Sequence, residues 1–164
     1  MPFNINFKKI FPSGRYGAEI ALRRKLEKYI SSQRLLARTS CSIPVVCVVI
    51  EGGMHTIRAV LEYVTDSPPV PVVVVEGSGR AADLLAYTHK YVRNESDDVS
   101  SLPDDVFEHL VTQIRRTFNV DHEQGEKLLA ELWQCVRKKN LITIFRPSDS
   151  ANTSDITGFH LLMN

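Results

Sequence analysis

Two short glycine turns carry the residue types best suited to chemistry in this sequence. The first, Gly52 and Gly53, follows the apolar segment 43–50, and the second follows the apolar segment 70–75. A glycine turn at the start of a helix exposes backbone N–H groups, and the helix dipole favours a bound anion there. The second turn consists of Gly77, Ser78, Gly79 and Arg80. The pattern therefore indicates a candidate site for a phosphate-bearing ligand.

Few other residues are arranged for catalysis or metal binding. No serine or cysteine stands in a nucleophile-elbow sequence, and the cysteines lack the C-x-x-C spacing of zinc sites. The histidines occur singly, as surface or core histidines do; they are His55, His89, His109, His122 and His160. The sequence therefore predicts a protein that is not an enzyme and requires no cofactor or metal.

Composition places the chain among soluble globular proteins of one domain. The 164 residues are 43% hydrophobic and 24% charged, and the net charge is +1. Such a small charge gives no field that would attract nucleic acid. No stretch reaches the roughly 20 apolar residues that cross a bilayer, so we expect no direct membrane insertion by this segment. The odd cysteine count favours a reducing, cytoplasmic compartment; the residues are Cys41, Cys47 and Cys135.

Three β-rich segments are expected to form the sheet that positions the two turns. They are residues 43–50, 70–75 and 141–146. Continuous apolar runs of this kind are typical of parallel strands covered on both faces. The repeated order of strand, glycine turn and helix predicts a doubly wound α/β fold, whose ligands lie at the carboxyl ends of the strands. Because such sheets usually have about five or more strands, we expect a fragment that is incomplete at its N-terminus.

Helical patterns separate the predicted strands. Apolar residues recur at helical spacing in residues 18–36 and 55–64. Two further helices are predicted over residues 101–118, capped by its first residue, and over residues 121–139, capped by Asp121. These two helices would form an inserted helical pair between the second and third strands.

Four blocks of the sequence stand in an order that one family shares. They are "GRYGAEIALRRKLEKYI", "IPVVCVVIEGG", "PVPVVVVEGSGRAADLLAYTHKY" and "KKNLITIFR". They resemble consecutive blocks of the cytosolic N-terminal homology region of melastatin-type transient receptor potential (TRPM) cation channels. The resemblance implies a partial SLOG domain over residues 14–146, with a Rossmann-like three-layer fold of helices on both faces of a parallel sheet. Residues 1–13 and 147–164 depart from the family pattern, so we expect atypical flanks there.

Resemblance to the ADP-ribose-gated members of this family implies a nucleotide cleft. Tyr16 would stack on a base or ribose, while Arg23 and Arg80 would bind phosphate oxygens. The glycine turns would let the backbone approach the ligand closely. The implied ligand is ADP-ribose or a related nucleotide. The candidate ligand-binding residues are Tyr16, Arg23, Gly52, Gly53, Gly77, Ser78, Gly79 and Arg80.

A purely structural interpretation of the same residues stays open. The glycines can serve only their turns, Arg23 can pair with Glu27 on a solvated helix face, and Tyr16 can simply pack. In that case the chain would be an interaction scaffold in the cytosolic ring of a channel.

An enzymatic interpretation also has to be considered, because SLOG relatives include phosphoribohydrolases with the motif P-G-G-x-G-T-x-x-E. Aligned on the first glycine turn, this chain keeps Thr56 but has His55 in place of the third glycine and Ala59 in place of the catalytic glutamate. The alignment argues against an enzyme that processes nucleotides.

Taken as a family resemblance, the sequence implies a non-catalytic nucleotide-sensing and assembly domain. The parent would be a ligand-gated, calcium-permeable channel of the plasma membrane, with this segment on the cytosolic face. The partners would be the rest of the channel subunit and the neighbouring subunits of a homotetramer.

Overall fold

Residues 18–32, 43–94, 96 and 98–147 are described by a computed structural model of the protein. The chain divides into two units, Met1–Val45 and Val46–Asn164, and each is described by itself. The predicted flanks, residues 1–13 and 147–164, lie outside the described residues except for Pro147.

In the first unit, helix α1 spans Ala18–Ser32. It confirms the predicted helix over the described part of residues 18–36. Three residues of the predicted apolar face, Leu26, Tyr29 and Ile30, are 48%, 49% and 40% exposed. The apolar stripe of α1 is therefore only partly covered.

Three parallel strands form the sheet of the second unit. They are β1, Cys47–Val49; β2, Val72–Val75; and β3, Ile142–Phe145, in the spatial order β1-β2-β3. The first strand is shorter than the predicted segment 43–50. Pairing begins where Cys47 donates its N–H to the Pro71 carbonyl at 2.9 Å, and Pro71 itself has no N–H with which to continue the ladder.

One face of this sheet is buried, and the other is exposed at its outer strands. Val49 and Val74 are neighbours in the register and are 3% and 0% exposed. On the opposite face, Val48 of β1 and Phe145 of β3 are 56% and 41% exposed, whereas Val73 of the central strand is 6% exposed. Because the strands follow chain order and parallel crossovers are right-handed, both crossover connections lie on the same face. The mixed helix and parallel-sheet architecture confirms the predicted Rossmann-like α/β fold.

Four helices connect the strands. They are α2, Met54–Thr65; α3, Arg80–His89; α4, Asp104–Phe118; and α5, His122–Val136. The pair α4 and α5 is the predicted helical insert, and α5 packs against α2, α3 and α4. Leu129, Leu132 and Trp133 of α5 are at most 2% exposed. Helix α5 therefore forms the centre of the helical layer that supports α3.

The ends of the inserted helices differ in part from expectation. Asp121 caps α5 as predicted, since its carboxylate accepts the Gln124 N–H at 2.8 Å. Ser101, however, does not cap α4: its hydroxyl donates to the Asp98 carbonyl at 2.6 Å in a 3₁₀ turn over Val99–Ser101. Helix α4 begins only after Pro103, whose fixed φ suits the entry to a helix. Helix α5 ends at Val136, short of the predicted residue 139.

In the part of the chain that the structure describes, none of the helices has the length and apolar character needed to cross a bilayer.

Candidate functional site

The first glycine turn follows the carboxyl end of β1 and has a left-handed backbone. Glu51 and Gly52 adopt φ angles of +54° and +88°. A Cβ atom at Gly52 would lie 2.7 Å from the Thr56 hydroxyl oxygen, so only glycine fits. The Thr56 hydroxyl accepts the N–H of Gly53, the residue that precedes α2, at 3.1 Å. Thr56 therefore holds the turn in place.

The second glycine turn follows the carboxyl end of β2 and is also left-handed. Gly77, Gly79 and Arg80 have φ angles of +89°, +102° and +50°. The Gly77 N–H donates to the Asp83 carboxylate at 2.7 Å, and the Ser78 hydroxyl donates to the Val75 carbonyl at 2.7 Å. The carboxylate of Asp83, from the first turn of α3, therefore already accepts the Gly77 N–H, which leaves this amide unavailable to a bound anion.

The structure brings the two turns together at the carboxyl edge of the sheet. The Glu51 N–H donates to the Ser78 hydroxyl at 2.9 Å. In return, the first-turn amides of α3 donate to the first turn: Ala81 N–H to the Gly52 carbonyl at 3.3 Å and Ala82 N–H to the Glu51 carbonyl at 2.9 Å. Two first-turn amides of α3 are thus used within the protein.

Two amides remain at this helix mouth. Within the described residues, the backbone N–H groups of Gly79 and Arg80 donate to no protein acceptor, and no carboxylate lies within ion-pair distance of the Arg80 guanidinium. Arg80 is exposed and lines, together with Gly77, a cleft of about 520 Å³ between α3 and α4. Arg80 and these two amides are therefore the donors available to an anion.

Glu76 ties the second turn to the rest of the sheet. Its carboxylate forms ion pairs with Lys90 Nζ at 2.8 Å and with the Arg146 guanidinium, and its N–H donates to the Phe145 carbonyl at 2.9 Å. The hydrogen bond from Lys90, followed by that from Arg146, holds the pKa of Glu76 below its ordinary value of 4.5. Glu76 therefore remains ionised and joins β2, α3 and the end of β3.

The other predicted ligand residues belong to the first unit. Arg23, on α1, pairs with Glu27 at 2.8 Å, and its side chain is 72% exposed. Tyr16 lies outside the described residues. Of the predicted set, the structure brings together the glycines of both turns with Ser78 and Arg80.

Sequence reasoning missed three residues near these turns. Asp83 satisfies the Gly77 amide, while Tyr87 and His109 line the cleft beside Arg80. A carboxylate in the first turn of a helix is a recognisable signal, because the helix dipole favours it. The pairing of Tyr87 with His109 had no local signal, since the two residues lie on different helices.

The described residues hold little that favours catalysis. Among them, no group of three or more His, Cys, Asp or Glu side chains could bind a metal ion. Burial raises the pKa of the Cys135 thiol to about 12, so this thiol is not a thiolate nucleophile at neutral pH.

Comparison with known proteins gives a consistent family. The family model described as SLOG in TRPM matches residues 12–135. The transient receptor potential cation channel trpm of Drosophila melanogaster is 60% identical over 134 residues, which is 80% of this chain and 6% of that protein. Subfamily M member 7 of Rattus norvegicus is 48% identical over 132 residues, 80% of this chain and 7% of that protein.

A third relative, subfamily M member 1 of Rattus norvegicus, is 44% identical over 133 residues, or 81% of this chain and 8% of that protein. The chain thus spans 6–8% of the length of these curated relatives.

The left-handed turns generate a prediction with internal controls. Gly52→Ala should lower the free energy of unfolding by roughly 2–5 kcal/mol, because backbone strain adds to overpacking against Thr56. Gly77→Ala, which has a φ of +89° but open space around it, should cost roughly 1–2 kcal/mol. Gly53→Ala, with an extended φ of −102° and nothing within 4 Å, should cost least. Urea unfolding measures all three, and an equal loss at Gly52 and Gly53 would contradict this account.

Glu76 generates a prediction about pH. Because its folded pKa is lowered, its ion pairs stabilise the fold above pH 4.5, and this contribution is lost as the pH falls below that value. Glu76→Gln should therefore be less stable than the wild type at neutral pH, and the difference should disappear in acid. Burial, with Lys139 and Arg146 nearby, lowers the pKa of His89 from 6.5, so both proteins also lose stability below that pH.

The contribution of His89 is common to the wild type and Glu76→Gln, so the difference in their free energies of unfolding reports on Glu76. Urea unfolding from neutral to acidic pH measures this difference. Glu123→Gln is the matched control, since it removes an exposed carboxylate paired with Lys127 and should change stability by less than about 1 kcal/mol. A Glu76→Gln deficit that persists unchanged in acid would show that the ion pairs are not its cause.

Proposed function

The chain belongs to the SLOG family of TRPM cation channels, and from this premise we propose that it is a non-catalytic nucleotide-sensing domain of such a channel. The single observation that carries the proposal is the mouth of α3. There the exposed Arg80 lines a cleft, and the backbone N–H groups of Gly79 and Arg80 donate to no protein acceptor in the described region.

The chemistry of this mouth suits a phosphate. Arginine binds phosphate oxygens through a planar fork of N–H donors, and helix N-termini favour negative charge. Two carboxylates lie nearby, but Asp83 accepts the Gly77 N–H and Glu76 is neutralised by Lys90 and Arg146. The repulsion that they would exert on a phosphate is therefore reduced.

The nucleotide would be ADP-ribose or a close relative, as the family resemblance implies. The resemblance also implies Tyr16 as a stacking residue for a base or ribose and Arg23 as a ligand of phosphate oxygens. In the structure Arg23 pairs with Glu27.

Sensing without catalysis fits the chemistry of the first turn. Thr56 is engaged in holding Gly53, and Ala59 stands where the related phosphoribohydrolases have a glutamate. The relatives described above carry the names of channels. Because the chain spans a small share of those proteins, ion permeation would reside in other parts of the subunit, and this domain would lie on the cytosolic face of the membrane.

A role in assembly is the second candidate, and the exposed face of the sheet favours it. Val48 and Phe145 on that face, and Ile50 just beyond β1, are 56%, 41% and 64% exposed. An open apolar surface on a sheet is a common contact site for other protein segments. The partners would be other parts of the channel subunit or neighbouring subunits of a homotetramer.

The phosphate site predicts the effect of one substitution. Arg80→Ala should weaken ADP-ribose binding by about tenfold or more, because a hydrogen bond to a charged group contributes about 1.5–3 kcal/mol. Calorimetry on the full chain measures the affinity. Arg58→Ala is the matched control, since Arg58 is also exposed but pairs with Glu131 elsewhere. Unchanged affinity in Arg80→Ala, or no binding to the wild type, would refute the site.

The assembly role predicts self-association of the chain through the same apolar surface. Light scattering after size-exclusion chromatography should show species larger than a monomer, and Val48→Lys should shift them towards the monomer because a charge on a sheet surface opposes strand and face association. Gln124→Lys, on the exposed side of α5, should leave the distribution unchanged. A monomeric wild-type chain would argue against this candidate.

A further inference from the structure

We propose that the cleft between α3 and α4 holds the base of a nucleoside phosphate, with the rings of Tyr87 and His109 as its contacts. The inference rests on the proposed function, because it takes the phosphate to lie at Arg80. It adds to that proposal a site for the base of the nucleotide.

Two aromatic rings meet in this cleft. The ring centroids of Tyr87 and His109 are 5.9 Å apart, and their planes are inclined by 54°. Both residues line the cleft. Rings that are inclined rather than stacked on each other leave a face or an edge available to a third ring, and base stacking on aromatic side chains is a common mode of nucleotide recognition.

Neighbouring side chains hold the Tyr87 ring in place: Lys90 lies over one of its faces, and Tyr91 packs edge-on against it. Tyr91 lies edge-on to it at 5.4 Å between centroids, and the two hydroxyl oxygens are 2.9 Å apart in a hydrogen bond. Lys90 Nζ lies 5.9 Å from the Tyr87 centroid while it pairs with Glu76. A ring fixed in this way loses little conformational entropy when a ligand stacks on it.

Helix α4 supplies polar groups for the edge of a base. Gln113 and Thr117 also line the cleft, and both follow His109 at intervals of four residues, on one face of α4. An amide and a hydroxyl can each donate and accept hydrogen bonds, which matches the mixed donors and acceptors of a base edge.

The separation of the two ends of the cleft fits one ligand. Arg80 and Tyr87 are seven positions apart on α3, which is two helical turns or roughly 10.5 Å along the axis. The cleft volume of about 520 Å³ lies within the approximate range of 300–1,000 Å³ for small-molecule sites. The cation thus stands at one end and the aromatic pair at the other, as a base and a phosphate linked by ribose require.

The carboxylates that line the cleft are compensated within the protein. Asp83 accepts the Gly77 N–H, and Glu76 pairs with Lys90 and Arg146. Because Lys90 Nζ also lies 5.9 Å from the Tyr87 centroid, the Glu76 carboxylate is near the aromatic pair. A neutral base therefore suits that end better than an anionic group.

Calorimetry with two probes tests the inference on the full chain. ADP carries a base and inorganic pyrophosphate does not. Tyr87→Leu should weaken ADP binding by about tenfold through lost stacking, and it should leave pyrophosphate binding unchanged. Tyr87→Phe keeps the ring and should retain the ADP affinity. Circular dichroism of each variant verifies that the fold is intact.

A second variant guards against a merely structural effect at Tyr87. Gln113→Leu should weaken ADP but not pyrophosphate, whereas Gln124→Leu, on the exposed side of α5, should change neither. Equal ADP affinity in the wild type, Tyr87→Leu and Gln113→Leu, with pyrophosphate still bound, would overturn the base site and leave the phosphate site standing. Binding of neither probe to the wild type would overturn both.

Discussion

The hydrogen bonds between the two glycine turns are the constraint on which the rest of the site depends. Glu51 holds a left-handed backbone at φ +54°, which costs a residue with a side chain about 1–2 kcal/mol. Its N–H and carbonyl groups bond to Ser78 and Ala82, at a net gain of about 0.5–1.5 kcal/mol each. The strained turn is therefore stable only when α3 begins beside it, and the position of α3 in turn defines the cleft.

This mutual support changes how the helix mouth can bind an anion. A free helix start offers several amides, but here Ala81 and Ala82 bond to the first turn and Gly77 to Asp83. The protein therefore uses these three amides to build its own frame. What remains is Arg80 with two amides at the surface, so recognition depends on one side chain and on the cleft behind it. A glycine turn in a sequence predicts the backbone shape of such a site. It does not predict which N–H groups stay available to a ligand, because neighbouring residues use some of them.

The sequence predicted the architecture better than it predicted the site. Parallel strands, both glycine turns and their meeting at the carboxyl edge follow from local patterns, since apolar runs and glycines determine backbone shape directly. The start of β1 depended instead on its partner, because Pro71 interrupts the ladder on the neighbouring strand. Likewise, the bond from Gly77 to Asp83 and the contact of Tyr87 with His109 require tertiary geometry. Residues that act through a distant partner leave no periodic trace in a sequence.

The number of hydrogen-bond donors also limits the affinity that this site can reach without further ligand contacts. Hydrogen bonds to a charged group contribute about 1.5–3 kcal/mol each, but the loss of translational and rotational freedom on binding, about 4–15 kcal/mol, offsets much of their sum. Stacking on Tyr87 would add to the affinity, while the nearby carboxylates of Asp83 and Glu76 subtract from it. Three donors therefore suit weak, reversible binding better than a permanently bound cofactor. Tighter binding would require ligand contacts beyond Arg80, the two amides and the lining of the cleft.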